Sequence, residues 1–237
     1  MFFTELANSE VSQRVLKEAG LWGNEEFLLG IEAYYRYLIK INETLNLTRI
    51  TSPEDFWIKN ILDTLLIVNE VPELVGSDLE KYIRVVDMGC GGGIPLIPLA
   101  LAFPYCEFVG FESRQKKAFF LQDVIEVLEL KNCQVFPMRS GEASIKPEFR
   151  GSFDIVTARA VAKIEKLVPE TAKFLSSKGR MVFYKTPSQL DEELESATKA
   201  AKGVRLEIKR SAIMELPYEF GLRQFATLKP ISRRRRK

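Results

Sequence analysis

The chain has 237 residues, of which 46% are hydrophobic and 28% are charged, and it contains no histidine. This length and apolar content suit one large domain, or a domain with an appendage, with an ample core. The lack of histidine excludes chemistry that needs an imidazole, such as a serine–histidine triad or a histidine metal ligand. Because the three cysteines match no metal-ligand spacing, we expect neither a disulfide framework nor a metal site.

Charge is distributed unevenly along the chain. Residues 1–80 hold 14 acidic and 6 basic residues, whereas residues 81–237 hold 18 acidic and 28 basic ones. The basic excess ends in five consecutive cationic residues, 233–237. This excess predicts a polyanionic partner such as RNA. The alternative for the tail alone is a solvated, disordered end.

The apolar segments are too short to cross a membrane. The longest, at 94–103, falls well below the roughly 20 residues that a membrane-spanning helix needs. The N-terminus also lacks a basic region followed by an apolar one, so it does not match a secretory signal. We therefore expect a cytoplasmic protein with no membrane partner.

Helical patterns dominate the N-terminal third. Residues 9–19 predict a short helix, and a longer helix follows. Its apolar stripe, which we interpret as core, consists of Phe27, Ile31, Tyr34, Leu38, Ile41 and Leu45. A third helix is predicted from Ser52-Pro53-Glu54-Asp55, which combines a capping hydroxyl with a first-turn proline and acids, to about Val68. Residues 72–78 then predict a linker.

Strands and helices alternate from residue 82 onwards. Strands are predicted at 82–87, 107–112, 133–136, 153–157 and 179–185, and helices at 95–103, 115–129, 161–175 and 188–202. Such alternation predicts a doubly wound, mostly parallel sheet with ligands at the carboxyl ends of its strands. Residues 204–214 and 223–229 predict two further strands, antiparallel at one edge. We accordingly divide the chain into a helical extension (1–80), a sheet domain (81–231) and a basic tail (232–237).

The most informative motif follows the first predicted strand. Asp87 ends that strand, and glycines follow at the alternate positions Gly89, Gly91 and Gly93. Glycine permits positive φ and a close approach of the backbone to a ligand. A second acid, Glu112, ends the next strand, where it can accept both ribose hydroxyls of an adenosine ligand.

This motif favours S-adenosylmethionine as the ligand. The acid before the first glycine suits a cofactor whose methionine end bears an ammonium group and a positive sulfonium. NAD is the chief alternative, because NAD-binding folds also place glycines after the first strand. The loop after the third strand offers an apolar slot and the amides of Ser140 and Gly141 for adenine, with an ordinary surface turn as the alternative.

The loop after the fourth strand bears on the methyl acceptor. It contains neither an Asn/Asp-Pro-Pro-aromatic clamp nor a cysteine nucleophile, but Arg159 stands there and Lys185 holds the matching place after the fifth strand. Guanine N7 has an exposed lone pair and no proton, so its methylation needs positioning more than a general base. Arginine and lysine also suit guanine O6 and phosphate. The alternative for each cation is an ordinary salt bridge.

With these residues in view, the chain resembles the RsmG/GidB family, bacterial methyltransferases that modify a guanine N7 in small-subunit ribosomal RNA. The similar segments follow the family order and cover most of the chain. They are Asn46-Leu47-Thr48, Asn60-Ile61-Leu62-Asp63-Thr64, 87–98, 112–121, Arg139-x-x-Glu142, 159–162 and 179–185. Three features depart from the family pattern: Asn60 replaces a usual histidine, Thr186 replaces a common glycine, and the Arg-rich end is additional.

The resemblance implies a class I S-adenosylmethionine-dependent methyltransferase fold with an N-terminal helical extension. Together with the motif above, it implies a set of cofactor-binding residues, namely Asp87, Gly89, Gly91, Gly93, Ile94, Glu112, Ser140, Gly141 and Arg159. It also implies residues that face the acceptor or arrange the active site, namely Asn46, Arg139, Arg159, Lys185 and Arg223. The implied partner is ribosomal RNA or the small ribosomal subunit, and we expect a monomer without a metal ion.

Two alternatives from different functional classes stay open at this point. One is an NAD-dependent oxidoreductase that uses the same type of fold and Glu112. The other is a non-catalytic RNA-binding or ribosome-assembly module that retains the fold, although the intact cofactor motif counts against it.

Overall fold

The computed structural model describes residues 2–76 and 82–231. Part of the predicted linker and the whole basic tail lie outside the described residues, so the predicted domain division and the role of the tail stay predictions. Among the described residues, no helix is long and apolar enough to span a membrane. Nor do they contain a cluster of three or more potential metal ligands of the types His, Cys, Asp or Glu.

Helices form the N-terminal part of the molecule. They are α1 (Phe2–Ala7), α2 (Glu10–Glu18), α3 (Glu25–Leu45), α4 (Pro53–Phe56), a π-helix (Trp57–Leu62), α5 (Asp63–Leu65) and a 3₁₀ turn (Leu66–Asn69). Their starts follow capping side chains: Ser9, Asn24 and Ser52 accept hydrogen bonds from backbone N–H groups of α2, α3 and α4. The predicted helices are present, whereas α1 and the change to a π-helix were not predicted.

A mixed sheet lies at the centre of the described residues. Its strands are β1 (Arg84–Met88), β2 (Glu107–Phe111), β3 (Cys133–Phe136), β4 (Phe153–Arg159), β5 (Leu175–Lys185), β6 (Leu206–Arg210), β7 (Met214–Glu215) and β8 (Leu222–Pro230). The spatial order is β3-β2-β1-β4-β5-β8-β6, and β7 pairs with β8 outside this row. Strands β1–β5 pair in parallel, whereas β8 is antiparallel to its neighbours. The predicted mostly parallel sheet with antiparallel pairing near one edge is therefore confirmed.

Helices connect the parallel strands. They are α6 (Leu96–Ala102), α7 (Gln115–Val127), α8 (Ser140–Ala143), α9 (Ile164–Thr171) and α10 (Pro187–Gly203). The alternation predicted four of them, whereas α8 forms in a segment that was predicted as a loop. The predicted strand at 204–214 is split into β6 and β7, and β8 lies between β5 and β6 in the sheet. Strand β5 also begins four residues earlier than predicted, at Leu175.

The two faces of the sheet contact different helices. In β1, Val85 belongs to the hydrophobic cluster that includes α3, α6 and α7, whereas Val86 belongs to the cluster that includes α9 and α10. Successive residues of a strand point to opposite faces, so one short strand contributes to both clusters. The N-terminal helices therefore cover the same face of the sheet as α6 and α7.

Because the central strands are parallel, their carboxyl ends lie side by side at the same end of the strands. Asp87 of β1 pairs with Gly110 of β2 on one side and with Thr157 of β4 on the other. Arg159 ends β4 beside Tyr184 of β5. Residues that are far apart in the sequence thus meet where this type of fold binds its ligands.

Candidate functional site

The glycine turn after β1 is tightly packed against neighbouring helices. Gly89, Gly91 and Gly93 have φ values of +66°, +55° and +100°, in the region that favours glycine. A Cβ at Gly93 would lie 2.7 Å from Cδ2 of Leu121 and 2.9 Å from the hydroxyl of Tyr34. Both the backbone conformation and the surrounding space therefore require glycine at position 93.

Asp87 supplies a buried carboxylate beneath this turn. Its side chain accepts a 2.8 Å hydrogen bond at Oδ1 from the hydroxyl of Thr157, and Oδ2 has no hydrogen-bond partner among the described residues. Burial raises the pKa of Asp87 to about 7, while the hydrogen bond from Thr157 and the charge of Arg159 act in the opposite direction. A buried acceptor with a free oxygen is suited to a cationic group.

Glu112 connects the end of β2 to the glycine turn. One carboxylate oxygen accepts the N–H of Gly91 at 2.9 Å, and the other accepts the N–H of Arg114 at 2.8 Å. Each carboxylate oxygen has a second acceptor position. Glu112 thus fixes the turn and still has capacity for ligand hydroxyls.

A cavity at the carboxyl ends of the strands, cavity A, has a volume of about 570 Å³. It extends from Gly89 and Phe111 to Ser140 and Gly141, the first two residues of α8. The hydroxyl of Ser140 donates a 2.8 Å hydrogen bond to the carboxylate of Glu170 on α9, which also lines the cavity. Cavity A thus combines apolar walls with polar groups, as an adenine ring requires.

Cavity B, of about 330 Å³, continues from cavity A over the glycine turn. Gly89 lines both cavities. The other lining residues of cavity B are Leu38, Leu47, Thr48, Asn60, Cys90, Gly91, Gly92, Ile94, Lys117, Arg159 and Ala160. The N-terminal helices and the loop that follows α3 therefore form one wall of this cavity.

Cavity C, of about 220 Å³, lies at the ends of β4 and β5 and shares Arg159 and Ala160 with cavity B. Its cationic lining residues are Arg159, Lys185 and Arg223. Cavities A, B and C thus form a row in which neighbouring members share lining residues. Ala160, at the junction of B and C, has a φ of +55°, an unusual conformation for a residue with a side chain.

A buried carboxylate organises two of these cations. Asp63, only 2% exposed, forms an ion pair with Arg159 at 3.0 Å through one oxygen and with Arg223 at 2.8 Å through the other. Arg159 also donates hydrogen bonds to the Lys59 carbonyl at 2.6 Å and to Oδ1 of Asn60 at 3.2 Å. Arg159 and Arg223 are therefore held by the N-terminal helical segment rather than left free.

Lys185 is held by a different carboxylate. Its ammonium group donates to both oxygens of Glu193 on α10, at 2.8 and 2.9 Å. The salt-bridge alternative that the sequence left open thus describes Lys185 and Arg159 correctly. Both side chains nevertheless line cavity C, so their salt bridges do not exclude contact with a ligand in that cavity.

The remaining two predicted acceptor-side residues lie further from cavity C. Asn46 is an exposed residue in the left-handed conformation that ends α3, and its neighbours Leu47 and Thr48 line cavity B. Arg139 lies immediately before α8 and lines cavity A. The structure therefore brings Arg159, Lys185 and Arg223 together and places Arg139 at the opposite end of the row.

Three residues of the site have no role that the sequence alone predicts. In the sequence, Asp63 is noted only as part of a family-like motif and Tyr34 only as part of the predicted core stripe. The residues around Glu170 give no indication that it lies at a site. Tyr34 does lie in the core, but its hydroxyl also donates a 2.5 Å hydrogen bond to the carbonyl of Gly92. A tyrosine in an otherwise mostly aliphatic stripe was the one available signal, because a buried hydroxyl requires a partner.

Comparison with known proteins identifies relatives along most of the chain. The family model described as GidB, rRNA small subunit methyltransferase G, matches residues 29–214. Ribosomal RNA small subunit methyltransferase G of Carboxydothermus hydrogenoformans is 34% identical over 214 residues, which cover 90% of this chain and 88% of that protein. The protein of the same name from Acholeplasma laidlawii is 36% identical over 192 residues, covering 81% and 79%.

A solved structure agrees at the level of the fold. A SAM-dependent O-methyltransferase from Thermotoga maritima matches with a TM-score of 0.50 and 16% identity, over 83% of this chain and 72% of that chain. At such low identity the similarity establishes the fold alone. The chain has the fold of S-adenosylmethionine-dependent methyltransferases, as predicted.

Proposed function

The chain belongs to the rRNA small subunit methyltransferase G (GidB) family, and from this premise we propose that it transfers a methyl group from S-adenosylmethionine to N7 of a guanine in 16S ribosomal RNA. The observation that supports this assignment most strongly is the row of cavities A, B and C along the carboxyl edge of the sheet. Its two ends have different chemistry. Adenosine suits cavity A, and a polyanionic acceptor suits the cationic cavity C.

The residues that line cavities A and B, together with the adjacent Asp87 and Glu112, fit S-adenosylmethionine. The unpartnered oxygen of Asp87 suits the ammonium group, Glu112 suits the ribose hydroxyls, and the amides at Ser140 and Gly141 suit adenine. The glycine turn, including Gly89, Gly91, Gly93 and the adjoining Ile94, allows the backbone to approach the ligand. When bound, S-adenosylmethionine supplies an electrophilic methyl group.

The acceptor side requires positioning rather than proton abstraction. Guanine N7 is an unprotonated acceptor, so the residues of cavity C need only align the base with the methyl donor. We assign this alignment to Arg159, Lys185 and Arg223, which suit guanine O6 and neighbouring phosphates. Asn46 and Arg139 retain a proposed supporting role at the margins of cavities B and A.

A labelling experiment tests the reaction. Purified protein is incubated with radiolabelled S-adenosylmethionine and small-subunit ribosomal RNA, either free or in ribosomal particles, and label is mapped by N7-selective strand scission. We expect label at a single guanine. Label on another atom would contradict the N7 assignment, and NADH binding without S-adenosylmethionine binding in calorimetry would favour an oxidoreductase.

We further propose that the protein acts in the cytoplasm as a monomer without a metal ion. The monomeric state and the lack of a metal ion are both expectations from the sequence. Sedimentation of the purified protein and activity in the presence of a chelator test these two expectations. A dimer that dissociates with loss of activity would contradict the first.

A further inference from the structure

Two buried polar atoms near the glycine turn have no hydrogen-bond partner within the described part of the chain: one on Asp87, two residues before Gly89, and one on Asn60, which lines cavity B with Gly89 and Gly91. Among the described residues, the unpartnered buried side-chain atoms include Oδ2 of Asp87 and Nδ2 of Asn60. Asn60 is 3% exposed and lines cavity B together with the glycine turn. A buried polar group without a hydrogen bond is unfavourable, so an unpartnered one at a cavity indicates a missing ligand.

The orientation of the Asn60 amide follows from its neighbours. Arg159 donates a hydrogen bond to Oδ1 of Asn60, and a guanidinium group can only donate. Arg159 is itself held by Asp63 and by the carbonyl of Lys59. The atom that Asn60 leaves free is therefore its NH₂ group, which is a donor.

The two free atoms have complementary chemistry. Asp87 offers an acceptor and Asn60 offers a donor, and Arg159 contacts Asn60 directly while its charge also acts on Asp87. The amino-acid end of S-adenosylmethionine carries an ammonium group and a carboxylate. Resting on the proposed function, we propose that Nδ2 of Asn60 donates a hydrogen bond to this carboxylate, while Asp87 faces the ammonium group.

The position of Asn60 favours the cofactor over the RNA as its ligand. Asn60 lines cavity B with Gly89 and Gly91, and it does not line cavity C. Cavity C instead contains Lys185 and Arg223, two of the three cations assigned to the acceptor, while the third, Arg159, lines both cavities. Asn60 is thus a specificity residue for the amino-acid end of the cofactor, and Asp63 positions it through Arg159.

Calorimetry with two ligands tests this role. Asn60→Asp keeps an oxygen for Arg159 but replaces the donor with a second oxygen that repels a carboxylate. S-adenosylhomocysteine has the amino-acid end, whereas 5′-methylthioadenosine lacks it. We expect Asn60→Asp to weaken S-adenosylhomocysteine binding by about ten- to a hundredfold, the loss of a hydrogen bond to a charged group, and to leave 5′-methylthioadenosine binding unchanged.

Two further variants keep the test independent of folding. Asn60→Ala removes the donor without adding charge and should show the same ligand selectivity with a smaller loss. Asn132→Asp is the matched control: Nδ2 of Asn132 donates to the carbonyls of Ala100, Phe103 and Cys106, away from cavities A, B and C. It should leave the affinity for both ligands unchanged.

The possible outcomes separate the two proposals. Equal weakening of both ligands by Asn60→Asp would make Asn60 a structural residue, and unchanged S-adenosylhomocysteine binding with slower RNA methylation would assign it to the acceptor. Either result overturns the inference. Failure of the folded, unsubstituted protein to bind S-adenosylhomocysteine would instead contradict the proposed cofactor.

Discussion

Asp87 is an acid whose ionisation is coupled to its burial. Its carboxylate is 1% exposed, and burial raises its pKa to about 7. Because the pKa is raised on folding, this group makes the unliganded fold less stable as pH increases from its unfolded-state pKa towards 7. A bound ammonium group favours the ionised form, so ligand binding has the opposite dependence on pH.

From this coupling we expect the affinity for S-adenosylhomocysteine to increase between about pH 6 and pH 7.5, as Asp87 loses its proton. Asp87→Asn has nearly the same shape but cannot ionise, so it should bind more weakly and remove this part of the pH dependence. Calorimetric titrations across the range measure both effects. An unchanged affinity or the same pH slope in the variant would contradict the assignment of Asp87.

Asp63 provides a second test at the scale of one residue. Asp63→Asn removes the carboxylate that Arg159 and Arg223 share. Breaking a buried ion pair typically lowers the free energy of unfolding by about 3–5 kcal/mol, and we expect the lower value because both arginines are partly exposed. Denaturant unfolding measures the loss.

The control for Asp63 is an exposed ion pair on the same molecule. Asp191 pairs with Arg210 at 2.7 Å, but its side chain is 64% exposed. Asp191→Asn should change the free energy of unfolding by less than about 1 kcal/mol. Similar losses of unfolding free energy in the two variants would show that the buried network at Asp63 stabilises the fold no more than an exposed ion pair does.

Among the elements, the glycine turn between β1 and α6 has no room for a side chain at Gly93. Gly93→Ala would place a methyl group 2.7 Å from Leu121 at a φ of +100°. We expect the free energy of unfolding to fall by at least about 2 kcal/mol through overpacking and backbone strain, together with weaker cofactor binding. Thermal unfolding and S-adenosylhomocysteine titration measure the two effects.

A glycine at the end of a helix gives the comparison. Gly203 ends α10, and a Cβ there would contact nothing within 4 Å. Gly203→Ala should leave stability unchanged or raise it by up to about 1 kcal/mol, because alanine restricts the unfolded chain. Equal destabilisation at the two positions would mean that neither φ nor local crowding explains the requirement at Gly93.

Elements with local signals were predictable from the sequence, and those determined by long-range contacts were not. Strands β1–β5 were predicted because alternation and turn residues lie within each segment. The insertion of β8 between β5 and β6 was not, since local patterns do not specify strand partners. The π-helix at Trp57–Leu62 also makes a contact that is long-range in sequence: the indole N–H of Trp57 donates a 2.9 Å hydrogen bond to the hydroxyl of Ser12.

The candidate site likewise combines features that the local sequence predicts with features that depend on long-range contacts. Asp87 and Glu112 could be proposed from the sequence because each ends a predicted strand, and in the structure Glu112 accepts a hydrogen bond from the N–H of Gly91. The pairing of Asp63 with Arg159 joins residues about a hundred positions apart, which no local spacing encodes. The arrangement of Arg159 and Arg223 around Asp63 was therefore visible only in the tertiary structure.

At the scale of the whole molecule, the excess of basic residues beyond residue 80 suits an RNA substrate. The five-residue cationic end lies outside the described residues, so its role is a prediction from the sequence. Deleting 233–237 should weaken binding to ribosomal RNA and reduce the slope of log affinity against log salt by about 0.7–0.9 for each phosphate that the tail neutralises. Filter binding over a salt series measures this slope.

A variant of equal length separates charge from chain length. Replacing the same five residues with glutamine keeps the length and removes the charge, so it should reproduce the effect of the deletion. An unchanged slope in both variants would identify the tail as a solvated end that does not bind RNA.

The hydrogen bond from Tyr34 to the carbonyl of Gly92 connects α3 to the turn at which we propose that the cofactor binds. Any ligand that restricts this turn should also suppress local opening of the helix, because the two segments share a bond. Hydrogen–deuterium exchange should therefore slow in residues 25–45 as well as in 89–93 when S-adenosylhomocysteine binds. In Tyr34→Phe, protection of the helix on ligand binding should decrease while protection of the turn persists. Hydrogen exchange in the N-terminal helices would then no longer depend on whether the ligand is bound.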